Sequence, residues 1–326
     1  MEKIFDVALI GAGNLGSRHL QGLAIAKVPE NIYVVEPNEE SMAVAKERYG
    51  QVAGNDNVKN IEFLSDMKDL PKKLDFIIVA TGARPRKAIV ESIIENIDVE
   101  YLLLEKVVFQ DPDDFDEMIP KLQAKGIKTY VNCVRRAFIF YQTLREKLIN
   151  EKYVNMENDG GEWGLGCNSI HMLDMYAYVT GAKEFSIASD MLDNEIIESK
   201  RPGYKEFTGQ ITIQTEKGLM TLNSSYNDKP NLIFMHSEHY NITINEGEGK
   251  AYISSKESDF KHQAVDINFL YQSGLSNLYV EDLYNNVTLP LTTIEDSAIL
   301  HKVLLNEFIN HMNKNREEKV KSCPIT

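Results

Sequence analysis

One stretch, Phe5 to Ile25 (FDVALIGAGNLGSRHLQGLAI), limits what this chain can fold into more than any other. Val7-Ala8-Leu9-Ile10 is an unbroken apolar run, the pattern of a strand buried on both faces of a parallel sheet. Gly11, Gly13 and Gly16 follow at G-x-G-x-x-G spacing, enclosing Ala12, Asn14 and Leu15. In such a turn the first glycine permits the tight bend and the second admits a pyrophosphate to the backbone. The third lets the next helix sit close on the strand. That helix, opening near Asn14-Leu15, aims free N–H groups and its positive dipole end at the phosphates. A second strand, read as Asn31 to Val35, ends in Glu36, 20 residues beyond Gly16. A carboxylate there takes the ribose hydroxyls and repels a 2′-phosphate, which favours NAD over NADP. The chain therefore begins with a dinucleotide-binding unit, and Gly11 to Gly16 with Glu36 are its first cofactor-binding candidates.

Alternation continues to residue 131. A helix from Glu39 to about Tyr49, with Asn38 as N-cap, precedes a short strand at Ile61–Leu64. Buried strands are expected at Leu74–Ala80, Tyr101–Leu104 and Lys128–Val131, with helices over Arg86–Ile94 and Asp113–Ala124 between them. This is the pattern of a doubly wound parallel sheet, whose ligands lie beyond the carboxyl ends of the strands. Gly11, Glu36, Thr81, Glu105, Lys106 and Asn132 each fall just after a strand, so one sheet edge is expected to gather them. Thr81, Glu105 and Asn132 thereby join the cofactor-binding candidates, and so does Arg86, which after the fourth strand can reach a cofactor or substrate phosphate.

After Asn132 the pattern changes. A helix is expected over Ala137–Leu148, a strand near Tyr153–Asn158, a glycine-rich turn from Gly160 to Gly166, and a helix over Asn168–Val179 stopped by Gly181. From Phe185 to Tyr284 short alternating segments separated by turn residues read as an antiparallel sheet, and a closing helix runs from about Ile294 to Met312. The expected division is a Rossmann domain at 1–131 and an α+β domain at 132–326.

Charge and cysteine usage narrow the function. Lys and Arg number 35 against 49 Asp and Glu, a net charge of −14 with no basic block, which argues against nucleic-acid binding. No apolar run has the length of a bilayer-spanning helix, and because the first strand begins almost at once no signal sequence is expected. Cys133, Cys167 and Cys323 have no paired-ligand spacing, which argues against a disulfide framework or a zinc site and for a cytoplasmic protein.

Chemistry is expected at two places. Lys106, on the ligand edge, can hold a substrate hydroxyl and move its proton while hydride passes to nicotinamide. His171 and Asp174 stand at i, i+3 on the later helix with Asn168 one turn before them, so histidine can act as acid/base or hydroxyl ligand. Trp163, in the glycine-rich turn, is placed to stack on a sugar. His19 reads as a helix-packing or phosphate-side group.

Four motifs in order carry a resemblance: GAGNLGSRH near the start, Glu105-Lys106-Val107, Asn132-Cys133-Val134-Arg135-Arg136, and His171-Met172-Leu173-Asp174. The chain resembles the Gfo/Idh/MocA oxidoreductases, named for glucose–fructose oxidoreductase and inositol dehydrogenase. The resemblance implies a Rossmann domain followed by a domain on a large, mainly antiparallel open sheet that mediates homo-oligomerisation, here as a homodimer or higher. It implies NAD(P)-linked oxidation or reduction of a sugar, cyclitol or sugar-nucleotide, with a lean toward bacterial surface-glycan pathways. It also implies Lys106 and His171 as the catalytic pair, no metal, and substrate contacts from Asn168, Asp174, Trp163 and Arg136. Cys167 stands where the family often has an aspartate, and Val107 replaces the family proline. Two other functions fit the same residues: NAD-assisted elimination or hydrolysis of a glycoside, and non-catalytic dinucleotide sensing.

Overall fold

The computed structural model describes residues 3–52, 54–314 and 316–326. The strands are β1 (Phe5–Ile10), β2 (Glu30–Val35), β3 (Val58–Leu64), β4 (Lys73–Val79), β5 (Asp98–Leu104), β6 (Lys128–Val131), β7 (Val154–Gly161), β8 (Phe185–Leu192), β9 (Ile197–Glu198), β10 (Lys205–Glu206), β11 (Gly209–Thr215), β12 (Gly218–Ser225), β13 (Leu232–Ser237), β14 (Tyr240–Asn245), β15 (Lys250–Ser255), β16 (Gln263–Asp266) and β17 (Thr292–Thr293). The helices are α1 (Gly16–Leu23), α2 (Glu39–Gly50), α3 (Ala83–Asn96), α4 (Asp113–Ala124), α5 (Ile139–Leu148), α6 (Leu165–Thr180), α7 (Ser276–Tyr284) and α8 (Ile294–Asn313). Short 3-10 turns include Val134–Ala137 and Gln272–Gly274.

The chain forms two compact units. The first takes in residues 1–109, 116–132 and 270–294, and the second 110–115, 133–269 and 295–326. No single cut separates them, because the chain returns to the first unit after residue 269. There β17 pairs antiparallel with β6, and Gly22 on α1 lies so close to the returning segment that an added Cβ would sit 2.8 Å from Ser276 Cβ.

The first unit is a Rossmann-like sheet in the order β17-β6-β5-β4-β1-β2-β3, parallel throughout except for β17. Its central strands are apolar on both faces: Val7, Ala8, Leu9, Phe76, Ile77, Ile78, Val79, Leu102, Leu103 and Leu104 are all fully buried. The order reverses at β1, which has β2 on one side and β4 on the other. In such sheets the crevice at this switch point receives the ligand. The expected N-cap of α2 is present, with Asn38 Oδ1 accepting from Ser41 N at 2.8 Å.

The second unit carries an eight-stranded sheet in the order β16-β15-β14-β13-β7-β12-β11-β8. Only the β7–β12 pairing is parallel; the others are antiparallel. Along β7 the buried residues Val154, Met156, Asn158 and Gly160 alternate with more exposed ones, so one face of the sheet is covered. Helix α6 covers it there, and Tyr176 Oη donates to the Val154 carbonyl at 2.7 Å. The opposite face presents Met191, Leu219, Phe234 and Tyr252 to solvent.

Three expectations need correction. Gly160 and Gly161 extend β7 and do not belong to a turn. An added Cβ on Gly161 would lie 1.9 Å from the Asn227 carbonyl, so glycine here serves close backbone approach, not bending. The stretch to Tyr284, read as strands throughout, ends in helix α7. Its apolar residues Tyr279, Val280 and Leu283 follow helical spacing, which the neighbouring strands obscure. The helix expected from Ala137 starts at Ile139, after a 3-10 turn.

Candidate active site

At the switch point the glycine turn has the geometry its spacing predicts. Gly11 has φ +87°, and an added Cβ would lie 2.7 Å from Thr81 Cγ2. The ends of β1 and β4 are therefore in contact through a residue without a side chain. At Gly16 an added Cβ would fall 1.9 Å from the Gly11 carbonyl oxygen, so the helix can close on the turn only with glycine there. Gly13 differs: nothing lies within 4 Å of its Cβ position. The backbone from Ala12 to Leu15 thus presents an open face at the start of α1. Glu36, at the end of β2, turns toward this loop; its Oε2 accepts from Ala12 N at 2.8 Å and its Oε1 from Asn38 N at 3.0 Å. Donor backbone, open approach and an adjacent carboxylate fit a dinucleotide, with the pyrophosphate on the turn and the ribose hydroxyls on Glu36.

Arg86 occupies a different role from a phosphate ligand. It is buried, and its guanidinium donates to the carbonyls of Thr81, Val107 and Val108, tying the loop after β4 to the loop after β5. Lys106 lies in that second loop, half-buried, and its peptide bond to Val107 is cis.

Glu105 is fully enclosed and belongs to a polar network the sequence did not announce. Its Oε1 accepts from His19 Nε2 at 2.9 Å and from Asn132 Nδ2. Asn132 Nδ2 also donates to Gln272 Oε1 at 2.9 Å, while Tyr279 Oη donates to Asn132 Oδ1 at 3.4 Å. On the other side of the imidazole, His19 Nδ1 lies 2.9 Å from Ser276 Oγ and 3.2 Å from Gln272 Nε2. Burial pushes the Glu105 carboxyl up, but the hydrogen bond and electrostatic attraction to His19, the Asn132 hydrogen bond and the attraction to Lys106 outweigh it and hold the group below its ordinary value. Glu105 and Asn132, read from sequence as cofactor contacts, are thus joined directly. His19, read as a helix-packing or phosphate-side group, is a partner of Glu105. Gln272, Ser276 and Tyr279 have no motif around them and could not be found from the sequence.

In the second unit, α6 opens at Gly164, whose φ is +82°, and ends at Gly181, whose φ is +76°. Glu206, from β10, caps its start by accepting from the backbone N–H groups of Gly166 and Cys167. A side chain on Gly166 would fall on that carboxylate, with Glu206 Oε1 2.4 Å from the Cβ position. Sequence reading missed this cap, since 40 residues separate the partners. Asn168 Nδ2 donates to the Trp163 carbonyl at 2.7 Å, and Trp163 Nε1 donates to the Asn223 carbonyl at 2.8 Å. His171 and Cys167 are half-buried on the same helix.

Asp174 and Arg136 hold each other. Arg136 Nε lies 2.9 Å from Asp174 Oδ2 and its Nη2 2.8 Å from Oδ1, a two-point pairing with the carboxylate fully buried. Burial works against the guanidinium charge, but the carboxylate beside it dominates and raises the Arg136 pKa. Neighbouring Arg135 makes a similar pair with Glu246, which also accepts from Tyr141 Oη. Among the described residues no group of three or more His, Cys, Asp or Glu side chains is arranged to hold a metal ion. Nor is any helix of these residues long and apolar enough to cross a membrane.

Comparison with known proteins agrees with this geometry. Residues 5–133 match the profile of the Gfo/Idh/MocA group, described as an oxidoreductase family with an NAD-binding Rossmann fold. No curated protein matches the chain in sequence. Several solved structures share the fold over nearly the whole length. One is an oxidoreductase from Agrobacterium radiobacter in complex with NAD+, L-tartaric acid and magnesium; it is 14% identical with a TM-score of 0.73, over 95% of this chain and 96% of that one. UDP-N-acetylglucosamine 3-dehydrogenase GnnA from Acidithiobacillus ferrooxidans is 14% identical with a TM-score of 0.70, over 94% and 97%. A levoglucosan dehydrogenase in complex with NADH and levoglucosan is 14% identical with a TM-score of 0.69, over 95% and 98%. At such identities the likeness is one of fold, and the similarity to the Gfo/Idh/MocA oxidoreductases is carried by residues 5–133, which match that family's NAD-binding Rossmann unit.

Proposed function

We propose that the protein is an NAD-dependent dehydrogenase that moves a hydride between the nicotinamide and a hydroxyl or keto carbon of a sugar or sugar derivative. One observation carries this reading: the strand order sets the ends of β1, β4, β5 and β6 side by side, so Lys106 lies on the same sheet edge as the glycine turn. The backbone from Gly11 to Gly16 would hold the pyrophosphate and Glu36 the ribose diol. The chemistry NAD supplies when bound is the acceptance or return of hydride.

This chain's own residues then have proton and orientation work to do. Lys106 would hold the substrate hydroxyl and stabilise negative charge developing on its oxygen. His171 would take the hydroxyl proton, as its half-buried imidazole and the family motif suggest. The Arg136–Asp174 pair would keep its helix in place, and Asn168 with Trp163 would shape the sugar pocket. A nucleotide-activated sugar and a cytoplasmic location are part of the same proposal, supported by the dehydrogenases named above and by three cysteines free of disulfides.

The test is absorbance at 340 nm with NAD and a panel of free and nucleotide-linked sugars. Net NADH formation, reduced about a hundredfold or more in Lys106→Met and in His171→Ala, is the expected result for loss of an acid/base group. Conversion with no net NADH, or full turnover in Lys106→Met, would overturn it.

A further inference from the structure

Where α6 ends, the second unit has a cleft of about 380 Å³, a volume within the range of small-molecule sites, roughly 300–1,000 Å³. Among the described residues its charged lining is Arg136 from the 3-10 turn, Arg145 from α5, Lys183 from the loop after α6, and Asp296 from α8. Three cations against one acid run counter to the chain's net charge of −14.

The cations converge and are held in place. The Arg136 and Arg145 guanidinium carbons lie 5.2 and 4.9 Å from the centre of one ring, that of Tyr178, which also lines the cleft. Arg145 Nη1 donates to the Tyr178 carbonyl, and Arg136 is tied to Asp174 through Nε and Nη2. The loop bearing Lys183 is fixed through its backbone: the Glu216 carboxylate accepts from Lys183 N at 2.7 Å and from Glu184 N at 3.0 Å. Gly181, at φ +76°, turns the chain into this loop, and an added Cβ there would lie 2.7 Å from Ile149 Cδ1. Groups anchored in this way lose little further freedom when a ligand binds.

Charge balance defines the ligand. Asp174 balances Arg136, but among the described residues no carboxylate is ion-paired with Arg145 or with the Lys183 ammonium. Within the chain Arg145 uses only Nη1 of its guanidinium donors, and Arg136 keeps Nη1. Two cations without a carboxylate match a phosphomonoester, which carries a charge of about −1.5 to −2 at neutral pH and three acceptor oxygens. A carboxylate ligand would balance only one of them, as Asp174 does for Arg136. The volume also admits an organic body, with Asp296 to accept from its hydroxyls and exposed Ile299 to pack on its carbons.

We propose that this cleft binds a hydroxyl-bearing phosphomonoester, with its phosphate on Arg145, Lys183 and the remaining donor of Arg136 and its hydroxyls on Asp296. Neither Lys106 nor His171 lines the cleft, so the site stands apart from the catalytic reading.

Calorimetric titration of the full chain at low salt tests it, with glucose 6-phosphate, AMP, glucose and inorganic phosphate as probes. Excess NAD is present throughout to occupy the glycine turn. At least one ester should bind saturably, tenfold or more tightly than glucose or inorganic phosphate, and more weakly as salt is added. Preference for glucose 6-phosphate or for AMP tells a sugar phosphate from a mononucleotide. Lys183→Gln and Arg145→Gln should each weaken ester binding about tenfold, the loss of one charge-assisted contact. Lys183 is exposed, so its substitution reads the site even where Arg145→Gln fails to fold. Lys106→Met and His171→Ala should leave the ester's affinity within twofold of the parent. Four results would overturn the inference: no saturable binding of either ester at millimolar concentration; binding that a folded Lys183→Gln protein retains in full; inorganic phosphate binding as tightly as the esters; or a loss of affinity in Lys106→Met or His171→Ala, which would put the ester in the catalytic site.

Discussion

Glu30 offers a stability test that is independent of catalysis. It is the first residue of β2, paired with Phe5 on one side and Val58 on the other, and it is completely buried. Neither carboxyl oxygen has a hydrogen-bond partner among the described residues. Burial first, and the negative charge of Glu281 second, push its pKa up from 4.5 to about 8. The sign follows from the two states. Below pH 4.5 Glu30 is protonated whether folded or unfolded, and stability is unaffected. Between 4.5 and about 8 the unfolded chain releases a proton that the folded chain retains, so stability falls steadily as pH rises, and it levels off above about 8. At 1.36 kcal/mol for each pH unit of displacement the full loss is roughly 5 kcal/mol, an upper value because the site can relax and admit water. Glu30→Gln removes the ionisation while keeping the shape. At pH 9 it should melt several degrees above the parent, taking about 2 °C per kcal/mol for a chain of this size. At pH 5 the two should melt within a degree or two of each other. Calorimetric melting across pH 5 to 9 measures this, and a constant gap between the two proteins at every pH would refute the reasoning.

The remaining predictions concern the site and the assembly. Gly16→Ala forces a methyl onto the Gly11 carbonyl and should abolish NAD binding in calorimetric titration while leaving the second unit's fold intact by circular dichroism; binding within twofold of the parent would refute it. Because Glu36 lies on the glycine turn, NAD should bind about tenfold or more tightly than NADP, and Glu36→Gln should narrow that gap; equal affinities for the parent would remove the assignment. Arg136→Met removes the two-point ion pair from the buried Asp174 carboxylate and should cost about 3–5 kcal/mol in urea unfolding, with Asp174→Asn restoring part of it; a loss below 1 kcal/mol would mean the pair is not enclosed. The exposed apolar face bearing Met191, Leu219, Phe234 and Tyr252 should be covered in a homodimer or larger assembly, and light scattering giving a monomer at micromolar concentration would dismiss this.

What the sequence determined by itself was whatever depends on near neighbours in the chain. The apolar run Val7–Ile10, the glycine spacing after it and the N-cap at Asn38 act over a few residues, and their structural outcomes agree with the reading. Strand–helix alternation likewise made the parallel sheet legible, because a right-handed crossover leaves few alternatives for strands that are apolar on both faces. The edge occupied by Gly11, Thr81, Glu105, Lys106 and Asn132 followed from that topology alone.

Only the tertiary structure decided which polar groups hold one another. His19 meets Ser276 across 257 positions and Gln272 across 253, and nothing local marks either partner. Arg86 looks like a phosphate ligand in sequence, yet its guanidinium is enclosed by three carbonyls that only the packed loops bring together. Gly160 and Gly161 read as a turn because glycine is ambiguous between bending and close packing; their strand neighbours resolve it. Helix α7 was hidden for the same reason. It packs on α1, and its Tyr284 ring meets Phe5 of β1, and a helix stabilised chiefly by such packing carries little signal of its own.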